Sequence, residues 1–66
     1  MTEHLYFIVS LNDALRFSHG LSQLGITHYH LQPHDKQVAF VFERVSAKRR
    51  TILKRFFGAD GVSRQN

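Results

Sequence analysis

Residues 26–43, ITHYHLQPHDKQVAFVFE, decide the fold, because two runs of strand type are joined there by a short polar connection. In residues 26–32, His28, His30 and Gln32 alternate with Tyr29 and Leu31, the period of a half-covered strand. Pro33 is expected to end that run, since a ring without an N–H cannot continue a central ladder. Residues 33–36, Pro-His-Asp-Lys, then lead into residues 37–43, QVAFVFE, rich in aromatic and β-branched side chains. Parallel strands need a crossover of a dozen residues or more, so the pair reads as an antiparallel hairpin.

On the N-terminal side of the hairpin, residues 5–11 (LYFIVSL) read as a buried strand that stops at Asn12-Asp13. Asn12 is the expected cap of a helix running to Leu24, with Gly25 as its stop. Ala14, Phe17, Leu21 and Leu24, spaced three, four and three, form one face of that helix, and Leu15 falls outside it. Gly20 lies on the flank of the face, where a glycine costs up to about 1 kcal/mol relative to alanine; the expected compensation is close approach of helix to sheet.

On the C-terminal side, Ser46 caps a second helix that Gly58 ends. Ile52, Leu53, Phe56 and Phe57 share an apolar face that Val45 extends. Lys48, Arg50, Thr51, Lys54 and Arg55 occupy the opposite side, and Arg49 points toward the apolar arc, where its stem can pack while its head reaches water. Residues 59–66 read either as a frayed tail or as a short edge strand through Val62, and both readings stay open.

The order is strand, helix, strand, strand, helix. A right-handed first crossover leaves room for the third strand between the first two, which predicts an α+β domain over residues 1–58 with the split βαβ arrangement of ferredoxin-like folds: order βαββα, a three-stranded antiparallel sheet and both helices on one face. The other face is left open. Tyr6 and Ile8 belong to it if Leu5, Phe7, Val9 and Leu11 face the helices, whereas in the third strand either Val38, Phe40 and Phe42 or Ala39 and Val41 can point that way. An uncovered apolar sheet face marks a binding surface or a dimer interface.

Composition narrows the classes. A chain of 66 residues buries only about 60% of the surface its unfolded form exposes, and with no cysteine there is neither a disulfide nor a thiolate metal site to reinforce it. A homodimer is therefore one expectation. The hydrophobic fraction of 42%, with six Phe, argues for a packed globule over a disordered polar chain. No apolar run approaches the ~20 residues that span a bilayer, which excludes a membrane partner from this reading and makes the expected location cytoplasmic.

The formal net charge of +4 is unevenly placed, because residues 45–58 (VSAKRRTILKRFFG) carry five of the nine Lys and Arg and no acid. Such a helix asks for an anionic partner, a nucleic acid or an acidic protein surface. The five acids are scattered over terminus, cap, turn, strand end and tail, and no Gly-rich phosphate loop is present, so no enzyme is expected. His28 and His30 share one side of a strand and could reach His34 or His4. Without cysteine they fall short of a zinc signature, and neither metal nor cofactor is expected.

Residues 36–43, Lys-Gln-Val-Ala-Phe-Val-Phe-Glu, resemble the octapeptide of the RNA-recognition motif, K/R-G-F/Y-G/A-F-V-x-F/Y, at Lys36, Ala39, Phe40 and Val41. Leu5-Tyr6-Phe7 looks like the family's companion hexapeptide, with Tyr6 at its open-face aromatic position. Gln37, Val38 and Glu43 depart from the pattern. The resemblance implies base stacking on Tyr6 and Phe40, phosphate contact at Lys36, and single-stranded RNA as partner. Together with Lys48, Arg50, Lys54 and Arg55 these are the candidate nucleic-acid contacts. The alternative is a protein-interaction module, a homodimer or a small regulator docking on a larger protein, with Ile8, Leu15 and Val41 at the interface.

Overall fold

Strand β1 (Glu3–Ser10) lies inside the sheet in the computed structural model, which describes residues 3–58 and 62–65, with side chains described for residues 4–58. It is followed by α1 (Leu11–Gln23), β2 (His30–His34), β3 (Gln37–Val45), α2 (Ala47–Phe57) and β4 (Val62–Gln65). The strands are antiparallel in the order β2-β3-β1-β4, so the α+β, ferredoxin-like arrangement expected from the element order is present. To the three expected strands the chain adds β4, which pairs with the outer side of β1 from Glu3↔Gln65 to Tyr6↔Val62. The edge-strand reading of the tail holds for residues 62–65, while 59–61 and 66 lie outside the described residues.

Several boundaries differ from expectation for identifiable reasons. Ser10, not Asn12, caps α1: its hydroxyl accepts from the Asp13 amide at 3.3 Å. The Leu11 amide donates to the Lys36 carbonyl at 3.0 Å, so the chain turns away from the sheet earlier than the apolar run suggested. At the other end Gly25 adopts φ 75°, and the Ile26 amide donates to the Leu21 carbonyl at 2.9 Å. Ile26 and Leu21 are both buried, which completes a left-handed helix stop with its apolar contact. Ile26 is thereby committed to ending α1, and the strand expected from residue 26 begins only at His30. Leu24 becomes the C-cap residue and is 54% exposed, outside the stripe to which the wheel assigned it.

Pro33 does not end β2 but sits inside it, opposite Val38. As an outer strand, β2 tolerates a residue with no N–H because its outward amide positions have no ladder partner. The connection shrinks to Asp35 and Lys36, and Asp35 takes φ 58°, a left-handed conformation that aspartate tolerates better than most side chains. At the far end of β3, Glu3 pairs with Val45 and Leu5 with Phe42, so Glu43 and Arg44 together oppose His4 in a bulge, with Arg44 at φ 55°.

The core fills the space between sheet and helices. Leu5, Phe7 and Val9 lie opposite Phe42, Phe40 and Val38, and all six face the helix layer. Phe57 of α2 stacks on Phe7 at 4.3 Å and on Phe17 of α1 at 4.9 Å, joining the three layers of side chains. Gly20 makes its close approach to the other helix and not to the sheet: a Cβ there would lie 2.6 Å from Cζ of Phe56.

Candidate nucleic-acid interface

The rotational setting of α2 follows from its ends and its buried side. The Ser46 hydroxyl accepts from the Arg49 amide at 3.2 Å, and Gly58 closes the helix in a left-handed conformation with its amide donating to the Lys54 carbonyl at 2.9 Å. Leu53 is fully buried and Phe56 and Phe57 pack into the core. Lys48, Arg49 and Arg55 are consequently exposed, while Arg50 and Lys54 are partly buried on the helix flank. Among the described residues no carboxylate pairs with Lys48, Arg49 or Arg55, and no acid occupies the first turn of α2. Lys54 and Arg55 in the last turn complement the negative end of the helix dipole.

The open sheet face is built from the other alternation. Tyr6 lies opposite Val41 and Ile8 opposite Ala39, and on the far side of β3 His30 and Gln32 flank the same two residues. Ile8 is 51% exposed and Tyr6 half-buried. Two expected roles are corrected by this register. Phe40 is 0% exposed, and its ring packs against Phe17, Tyr29 and Phe57, so no base can stack on it. Val41 is on the open face but buried among larger neighbours, and forms the floor of that face instead of an exposed contact.

The remaining candidates do not form one patch. Lys36 sits exposed in the β2–β3 turn, at the opposite end of β3 from the start of α2. Leu15 is 80% exposed on the outer surface of α1, beyond the helix layer from Ile8. The core and the sheet lie between the exposed cations of α2 and the open sheet face, so the two surfaces expected to act together lie back to back.

What joins them was missed from the sequence. A cleft of about 260 Å³ at one end of the sheet is lined by His28, Glu43, Arg44 and Arg49 among others. Arg44 carries no signal in the sequence, because it follows the strand run 37–43 and is set by the bulge. Arg49, expected to pack its stem on the apolar arc with its head in water, lies in the first turn of α2 and lines the cleft. Among the described residues no group of three or more His, Cys, Asp or Glu could hold a metal ion, and no helix is long and apolar enough to cross a membrane. Comparison with known proteins gives no matching family model, no matching curated protein and no matching solved structure.

Proposed function

We propose that this protein is a small non-enzymatic module that holds a nucleic acid through the outer side of α2. The observation that carries the reading is the exposure of Lys48 and Arg55 on α2, with no carboxylate among the described residues paired to either. Each cation set against a phosphate releases condensed counterions, so binding should weaken steeply with salt. Of the two rings to which the resemblance to the RNA-recognition motif assigns stacking, Tyr6 is on the open face and Phe40 is buried, which shifts the weight of the interaction from stacking to charge.

Fluorescence anisotropy with labelled single-stranded RNA and DNA at low and moderate salt tests it. Lys48→Gln and Arg55→Gln should each flatten the slope of log K against log salt by about 0.7, the value for one single-strand phosphate contact. Absence of saturable binding at low salt overturns the proposal. A second reading, a protein-interaction module, is favoured by Ile8, exposed beside Tyr6 and above Ala39 and Val41 on an uncovered sheet face. Its mark is a salt-insensitive dimer in light scattering that Ile8→Glu disrupts and Arg55→Glu does not.

A further inference from the structure

The cleft at the end of the sheet forms where the loop after α1, the last residues of β3 and the first turn of α2 meet; Thr27, His28, Glu43, Arg44, Ser46 and Arg49 stand on its wall. Two arginines from different elements thus line one concavity. Among the described residues neither Arg44 nor Arg49 is in an ion pair, and Glu43 is the one acid in the lining of the cleft. Guanidinium forks in such an arrangement match the oxygens of a phosphate group.

A second hollow lies on the open-sheet side of the same loop, and Thr27, His28, Glu43 and Arg44 line it too, now beside His30 and Val41. The two hollows share these four residues and are therefore neighbours, one reaching the first turn of α2 and the other reaching Val41 on the open face.

We infer that a single strand of nucleic acid crosses here from the helix layer to the open sheet face, with one backbone phosphate held between Arg44 and Arg49. The inference rests on the nucleic-acid reading of α2 and adds the class of strand and its path. The domain measures 33 × 25 × 19 Å, and a ligand that passes from one face to the other must fold around that thickness. Duplex DNA, with a persistence length of about 150 base pairs, pays a deformation energy for so sharp a bend, whereas a single strand follows it at little elastic cost. Glu43 stands on the same wall and opposes the phosphate, which fixes the sign of an independent test.

The experiment measures anisotropy of a labelled single-stranded oligonucleotide and of its duplex at several salt concentrations. Arg44→Asn, chosen because asparagine accepts a left-handed backbone, and Arg49→Gln should each flatten the single-strand slope by about 0.7. Glu43→Gln should tighten binding, and Arg16→Gln, the same loss of charge on the outer surface of α1, should leave the slope unchanged. The duplex should bind without dependence on Arg44. Thermal melts establish that each variant is folded. Wild-type binding with unaltered slopes in Arg44→Asn and Arg49→Gln overturns the cleft and leaves the α2 reading intact, as does equal dependence of the duplex on Arg44. No saturable binding by the wild type removes the α2 reading and the cleft together.

Discussion

Gly20 and Phe56 meet where a single carbon decides the distance between the two helices. A Cβ at position 20 would lie 2.6 Å from Cζ and 2.7 Å from Cε1 of Phe56, inside any ordinary carbon contact. The ring packs edge-on against Phe17 at 5.6 Å and Phe57 at 5.2 Å, and swinging away gives up those contacts. Alanine gains about 1 kcal/mol of helix propensity, and forcing a methyl group into a packed site costs about 1–3 kcal/mol. Gly20→Ala should therefore lower stability to urea by about 1 kcal/mol, and the loss should shrink in a Phe56→Leu background; an alanine variant more stable than the wild type would contradict this packing. The special role of Gly20 was legible in the sequence, but its partner was not, because a wheel gives a direction and no neighbour. Phe40 posed the complementary difficulty. Both alternations of β3 are apolar, so period alone carries no sign. Bulk decides: the rings of Phe40 and Phe42, with Val38 on the same side, fill the gap between sheet and helices, and Ala39 and Val41, which have no ring, are left to the uncovered face.

Among the elements, α2 was the most legible, because its cap, its apolar stripe and its glycine stop agree on the same eleven residues. The Ser46 cap is testable by itself. Ser46→Ala should cost about 1 kcal/mol in thermal or urea unfolding, and Ser46→Asn should restore most of it, since either side-chain oxygen can accept from the Arg49 amide. Equal stability of alanine and serine would show that the amide is satisfied by water. The end of α1 and the start of β2 were less legible for one shared reason. Ile26 alternates convincingly with the residues after it, yet the Ile26 amide is used by the Leu21 carbonyl, and a residue that closes a helix cannot also open a ladder. Arg44 was illegible altogether, because a bulge is a relation between two strands and leaves no mark in the sequence of one.

At the scale of the molecule, one aromatic cluster carries both helices. Phe40 touches rings from α1, α2 and the loop before β2, so Phe40→Ala removes contacts from every layer at once. Such a truncation costs about 3–5 kcal/mol. At the usual 0.05–0.15 kcal/mol per residue, the whole chain has roughly 3–10 kcal/mol to lose. Phe40→Ala should accordingly show a weak or absent cooperative melt, whereas Ile8→Ser on the open face should stay within about 0.5 kcal/mol of wild type. If Phe40→Ala melts normally, the cluster does not organise the fold as described. The separation of basic helix and open sheet by this cluster is the feature that no reading of single elements could reveal, since each surface was legible and only their mutual placement was not. Pro33 has an effect of its own at this scale. A margin of unpaired extended backbone invites another chain to stack on and prolong the sheet, the first step toward fibrils. The ring at position 33 leaves that row one donor short, so a residue set inside the outer strand discourages the sheet's growth into an aggregate.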